Sequence, residues 1–173
     1  YWGVFPLKGK MLNVRDASPK QLLENVEINA LKQILGLQQG KEYKSVSELR
    51  YGKIMILTDA DVDGSHIKGL IINFIHHFWP SLLDLDPSFI CSMITPIVKA
   101  TKGGRTEKFY NLTEFNTWKR NNANGKGWSI KYYKGLGTST ANEAKEYFRE
   151  LARNTVRYVP NTEQEEENSK SIE

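Results

Sequence analysis

The stretch YGKIMILTDADVDGSHIKGLIINFIHHFWP, residues 51–80, decides how the chain is read. Its opening, YGKIMIL, is a nearly continuous apolar run of strand length, as a strand covered on both faces would have. From about Ser65 to His77 the apolar positions Ile67, Leu70, Ile71, Phe74, Ile75 and Phe78 keep the helical period, and Trp79-Pro80 closes the helix. Strand, acidic turn and helix form the front half of a βαβ unit. The turn itself carries Asp59, Asp61 and Asp63 at every second position.

Three readings of that acid triplet compete. D-A-D-V-D-G matches the start of a calcium EF-hand loop, but the twelfth position, which must supply a bidentate glutamate, is Leu70, and a strand rather than a helix precedes Asp59. Alternatively, the acids sit at the carboxyl end of a buried strand, where open α/β sheets bind ligands. While the chain stays extended, alternate side chains point the same way and the three carboxylates converge. Carboxylates that close repel one another unless a cation neutralises them, and a hard ion held by few carboxylates is the usual setting for magnesium. The third reading is structural: Asp63-Gly64 is a good turn pair, and any of the acids could cap the following helix.

Outward from this stretch, residues 18–35 read as one helix. Ser18 is its N-cap, Pro19 its first residue, Gln21 the capping-box partner and Gly36 its end, with a buried stripe of Leu22, Leu23, Val26, Ala30, Leu31, Ile34 and Leu35. VFPLKGKMLNV before it suggests short extended pieces, and Gln38–Ser47 a polar surface loop. Met93–Ala100 and Lys108–Leu112 are strand-like around a TKGGRT hairpin loop. Thr113–Asn121 suits a short helix, Trp128–Tyr133 a strand, and Thr140 with Glu143 caps a last helix over 140–152. The pattern is α/β, with βαβ character and some antiparallel pairing.

The 173 residues suffice for one domain with a full core. No apolar run reaches the roughly 18 residues of a membrane span, and YWGVFPLKGK lacks the shape of a signal peptide. Cys91, the single cysteine, has no disulfide or zinc partner, which favours a reducing compartment. The net charge is +4, but the final PNTEQEEENSKSIE holds five acids against one lysine, so residues 1–159 carry +8. A basic body suggests a polyanionic partner, nucleic acid first, and the tail reads as an acidic linker.

TDADVDGSHIKGLIINFIHHFWPSLL resembles the acidic-motif segment of the TOPRIM domain in type IIA DNA topoisomerases. PLKGKMLNVRDAS before it, and ITPIVKA and YYKGLGTSTANEAKEYF after it, match in the same order and cover most of residues 1–153. The aromatic-rich helix and YYKGLGTST resemble the eukaryotic and large-DNA-virus branch, whereas DADVDG is closer to the bacterial gyrase form. The resemblance implies a TOPRIM-like Rossmannoid sheet with flanking helices and an antiparallel hairpin insertion, lacking the first TOPRIM strand. It implies a partial TOPRIM domain over 1–153 and an acidic linker-like tail over 154–173.

By the same resemblance, Asp59, Asp61 and Asp63 bind Mg2+, with Mn2+ or Ca2+ as possible substitutes; Asp59 and Asp61 are the foremost ligands and Asp63 could act behind them. Lys10 and Asn13 fall at DNA-contacting positions of the family, as does Lys8, where the family usually has arginine and its bidentate fork. From the residues themselves, Lys134 ahead of a helix start and His66 next to the acids are further DNA-binding candidates, His66 with action behind the acids or simple cover of the helix start as its other readings. Read alone, Lys10 and Asn13 are better explained as a solvated loop lysine and a turn asparagine; KGLGTS is suited to bringing backbone amides near phosphate, but alone it is a common kind of lysine-glycine turn. The family's catalytic glutamate belongs to an EGDSA-like segment and its catalytic tyrosine to a winged-helix domain. Neither occurs in this sequence, nor does a nucleotide-binding motif, so no catalytic residue is assigned and the fragment alone is expected to bind metal weakly and cleave nothing. The implied parent is an ATP-dependent homodimeric type II topoisomerase that passes one duplex through a transient double-strand break in another. It would act on double-stranded DNA with the remaining domains of its own polypeptide, away from any membrane, in the nucleus or, if viral, in cytoplasm or a viral factory. Another TOPRIM enzyme, primase or nuclease, and a non-catalytic basic DNA-binding module are the rivals.

Overall fold

The computed structural model describes residues 2–85 and 88–158. Its helices are α1 (Pro19–Glu24), α2 (Val26–Leu35), α3 (Val62–Phe78), α4 (Leu112–Asn121) and α5 (Ala141–Arg149). The strands are β1 (Ile54–Ile56), β2 (Ile90–Met93), β3 (Val98–Lys102), β4 (Arg105–Phe109), β5 (Ser129–Tyr132) and β6 (Thr155–Arg157). They form two three-stranded sheets, ordered β1-β2-β6 and β4-β3-β5, which together with the helices give the expected α/β class. The chain divides into two compact units. One takes its described residues from Tyr1–Met55, Gly69–Cys91 and Arg157–Glu173; the other comprises Ile56–Lys68 and Ser92–Val156.

In the first unit the expected 18–35 helix is broken in two. Ser18 and Gln21 form the anticipated capping box, but Asn25 leaves helical geometry (ψ 111°) and accepts the Ile28 N–H at 2.8 Å, ending α1 and capping α2. An asparagine side chain offers the backbone an alternative to the helical bond, and here it wins. The break rephases the apolar stripe. Leu23 and Val26 are 76% and 80% exposed, while Ile28 and Leu35 are buried. Gly36 ends α2 with a left-handed φ of 77° and donates to the Lys32 carbonyl, as its position requires.

The buried part of α3 follows the predicted stripe through Leu70, Ile71, Phe74 and Ile75. Phe74 meets Phe78 and Trp79 edge-on at 5.8 and 5.5 Å between centroids. Trp79 satisfies its indole N–H on the Gln38 carbonyl at 2.7 Å. Each such buried side chain contributes about 1.5–3 kcal/mol. Tyr43, within the stretch read as a polar surface loop, is buried and accepts the Gln38 N–H at 2.8 Å. The strand expected over 51–57 shortens to β1, with Leu57 41% exposed, and the described residues before Pro19 contain no strand.

In the second unit β3 and β4 make the expected hairpin, paired from Val98↔Phe109 to Lys102↔Arg105. Gly103 and Gly104, both at positive φ, supply its two-residue turn. The strand expected over 93–100 is in fact two, β2 and β3, in different sheets; Pro96 lies between them and has no N–H to continue a ladder. Likewise β4 stops at Phe109, because Asn111 accepts the Glu114 N–H at 2.8 Å and starts α4. Val98, Ala100, Phe109 and Phe115 form the core, with Trp118, Trp128 and Ile130 packed on it.

Glu143, Glu146 and Glu150 lie along one face of α5, where helical spacing puts them in line. Lys99, buried, reaches Glu143 at 3.6 Å and Glu146 at 3.1 Å; Lys108 reaches Glu146 at 2.6 Å and Glu150 at 2.9 Å. These bonds hold α5 to β3 and β4. Beyond α5, Asn154 is buried, accepts from the Tyr110 hydroxyl at 2.9 Å and is followed by β6. Ordered structure therefore runs several residues into the region assigned to the tail, and the acidic stretch itself lies outside the described residues.

Burial alone would raise the Glu143 pKa, but bonds from the Thr140 N–H, Tyr133, Lys131 and the Thr140 hydroxyl outweigh it and pull the carboxyl to about 2, from an ordinary 4.5. A pKa lowered by folding adds stability above the unfolded value, lost as pH falls through the folded one. The α5 contacts are therefore expected to loosen between about pH 4.5 and about pH 2, and Glu143→Gln to flatten that part of the acid titration. Tryptophan fluorescence against pH reads the difference; superimposable profiles would contradict it.

Candidate metal and nucleic-acid site

The acidic turn runs from the end of β1 to the start of α3. Its first acid, Asp59, is exposed, and its Oδ1 accepts the Leu136 N–H at 2.7 Å. Leu136 lies in the Lys134-Gly135-Leu136-Gly137 segment between β5 and α5. A Cβ on Gly135 would stand 2.4–2.6 Å from the Asp59 carboxylate, so only glycine admits this approach. The glycine-rich segment, read from sequence as a cradle for phosphate, is thus first of all a support for an acid.

Asp61 Oδ1 accepts the Gly64 N–H at 2.7 Å, and the Ser65 N–H bonds the Asp61 carbonyl at 3.0 Å. Asp61 is therefore the N-cap of α3, and the helix starts at Val62, earlier than the Ser65 expected. Gly64 is buried against the turn. A Cβ there would fall 2.0 Å from the Asp59 carbonyl and 3.0 Å from the Thr58 hydroxyl.

Early helix formation corrects the geometric premise for three converging acids. Asp63 sits in the first turn of α3, where the strand alternation no longer holds. Among the described residues no group of three or more His, Cys, Asp or Glu side chains is gathered to hold a metal. What the turn does offer is two exposed carboxylates, Asp59 and Asp61, each with one oxygen on a backbone N–H and the other free of bonds from the described residues. Such a donor set fits a hard divalent ion that keeps several of its waters. The Thr58 hydroxyl beside them is buried without a hydrogen-bond partner among the described residues. Sequence reading missed this polar group, and its place just ahead of the acids was the available signal.

His66 and Lys134 are exposed in the same unit as the acids. Lys8, Lys10 and Asn13 belong to the other unit. Lys8 and Lys10 are exposed, with the Lys8 N–H on Glu27 at 3.3 Å. Asn13 is half-buried. It donates to Asp16 and accepts from the Asn73 amide of α3 at 3.1 Å and from the Arg15 N–H at 3.3 Å, so its side chain already ties this loop to the helix.

A model of the Toprim domain matches residues 1–90, and one of the C-terminal associated domain of TOPRIM matches residues 93–172. The chain is 62% identical over 161 residues to DNA topoisomerase 2 of Bombyx mori, covering 91% of this chain and 10% of that protein. To DNA topoisomerase 2 of Acanthamoeba polyphaga mimivirus it is 56% identical over 181 residues, covering the whole chain and 14% of the relative. The crystal structure of the Plasmodium falciparum topoisomerase II DNA-binding, cleavage and re-ligation domain superposes with a TM-score of 0.87 at 49% identity, over 94% of this chain and 22% of that one. The chain thus spans a small part of its relatives' length, and its two matched segments meet within β2. With the Toprim model covering more than half of its residues, this chain belongs to the Toprim family, in the type II DNA topoisomerase branch.

Proposed function

We propose that this chain is the metal- and DNA-binding part of an ATP-dependent type II DNA topoisomerase, which opens a transient double-strand break and passes a second duplex through it. The observation that carries the reading is the Asp59 carboxylate, presented at the end of β1 and held there by the Leu136 N–H, next to a second exposed carboxylate on Asp61. Asp59 and Asp61 hold Mg2+, which Mn2+ or Ca2+ can replace, and Asp63 acts behind them from the first turn of α3. When bound, the ion supplies Lewis-acid stabilisation of charge on a phosphodiester and on its leaving oxygen.

The rest is work for the chain's own groups. Lys134 and His66 meet DNA beside the acids, where lysine neutralises a phosphate and two like-charged carboxylates would otherwise repel the backbone. Lys8 and Lys10 take further phosphates from the other unit. Asn13 reaches a backbone or base edge if its bond to Asp16 or Asn73 opens. In this reading the TOPRIM region extends past residue 153 through β6, and the acidic stretch that follows is a linker. ATP hydrolysis, the attacking tyrosine and the dimer contacts belong to other parts of the polypeptide, which works on double-stranded DNA in the nucleus, or in cytoplasm or a viral factory for a viral enzyme.

Asparagine substitutions separate ligation from architecture. Asn keeps an amide oxygen for the Leu136 or Gly64 N–H and is as good an N-cap as Asp. Asp59→Asn and Asp61→Asn are therefore expected to melt like the parent while lowering metal-dependent DNA cleavage by the intact polypeptide about 100-fold or more. Unchanged cleavage with unchanged folding would remove the metal role. Gly135→Ala tests the support of Asp59: its methyl group displaces the carboxylate and is expected to raise the Mn2+ concentration for half-saturation about tenfold. An unaltered Mn2+ titration would show that the carboxylate's placement is immaterial.

A further inference from the structure

The segment that supports Asp59 is itself held at both ends by one side chain. Tyr133, the residue before Lys134, donates its hydroxyl to Glu143 Oε1. On the far side, Thr140 donates its backbone N–H to Glu143 Oε2 at 2.7 Å and its hydroxyl to the same oxygen at 3.1 Å. One carboxylate thus closes the mouth of the loop over residues 134–139. Glu143 is in turn fixed by Lys131 at 3.2 Å and by the buried Lys99 at 3.6 Å, with Lys99 and Lys131 also standing over the Tyr133 ring. Within the loop, a single turn of 3-10 helix over Leu136–Thr138 aims the Leu136 N–H at Asp59.

Alternatives within the network do not have this geometry. Among the described residues the Glu146 and Glu150 side chains bond only Lys99 and Lys108, and neither is hydrogen-bonded to a residue flanking the loop. The loop has no buried apolar residue of its own; beside the bonds of Thr138 to Gly135, of Ser139 to Leu136 and of the Ser139 hydroxyl to Tyr147, its shape depends on how its ends are held, because the closure entropy has to be met by contacts there. Glu143 provides them.

We propose that Glu143 is a positioning residue for the acidic site: by closing both ends of the 134–139 loop it holds the Leu136 N–H on Asp59 and so fixes the carboxylate that binds the metal. The last step rests on the reading of Asp59 as a metal ligand; the first does not. In this role Glu143 is neither a ligand nor a DNA contact. Its effect is transmitted through the loop, and its loss should lower metal affinity without removing a ligand.

Two readouts on the 173-residue chain test this: amide hydrogen exchange at Leu136, and Mn2+ binding followed by paramagnetic broadening. Glu143→Ala is expected to speed Leu136 exchange and to weaken Mn2+ binding, each about tenfold, with β3 and β4 amides still protected. Glu146→Ala removes an acid from the same face of α5 and is expected to change neither. Glu143→Gln keeps one accepting oxygen, so it can close one end of the loop and is expected to fall between; it carries the test if Glu143→Ala does not fold. Equal effects of Glu143→Ala and Glu146→Ala, or unaltered Leu136 exchange in both Glu143 variants, would overturn the proposal. Asp59→Asn in the same titration separates the two layers. If it leaves Mn2+ affinity unchanged the metal reading fails, and Leu136 exchange alone still decides whether Glu143 holds the loop.

Discussion

The backbone N–H of Leu136 on the carboxylate of Asp59 joins residues 77 positions apart, and the placement of that carboxylate depends on it. An exposed aspartate at the end of a three-residue strand has little else to fix its rotamer. A charge-assisted bond from a backbone donor does so at low entropic cost, since the donor is already ordered by its loop. Gly135 permits the approach by lacking a side chain, and Gly64 does the same for the other wall of the turn, where the Asp59 carbonyl packs on the first turn of α3. Two glycines far apart in sequence thus answer to one acid.

The same economy holds around α5. Its face of glutamates meets lysines from β3 and β4, one of them buried, so each charge lies near opposite charges and bonded oxygens rather than alone. Removing a single partner from such a set leaves an uncompensated charge, which makes the set more a device for holding one arrangement than a source of large net stability. Here the arrangement it holds includes the mouth of the loop that supports Asp59.

Much of this was legible beforehand, for identifiable reasons. The capping boxes at Ser18–Gln21 and Thr140–Glu143 formed as read, because each is a local pattern that completes itself. The α3 stripe and the hairpin around Gly103-Gly104 were likewise local. Asn25 was not legible as a break: a periodic stripe ran straight through it, and only the competition between its side chain and the helix decided the outcome. Pro96 divided a run whose composition favoured one strand. At the site, the family resemblance pointed to the acids and to KGLGTS separately. Nothing in either stretch said that the glycine of one lies against the carboxylate of the other, because that is a long-range contact. Nor did the spacing of three aspartates reveal that Asp61 would cap α3 and carry Asp63 into the helix.

In the proposed function a divalent ion binds at Asp59 and Asp61, next to the loop that holds Asp59. Per-residue paramagnetic broadening of the wild-type chain during a Mn2+ titration tests it without any substitution. The amides of Ala60, Gly64, Gly135 and Leu136 are expected to broaden first and together. Broadening that begins instead at the glutamates of α5 or in the acidic residues 163–167, with the Leu136 amide untouched, would place the ion elsewhere and rule out this site.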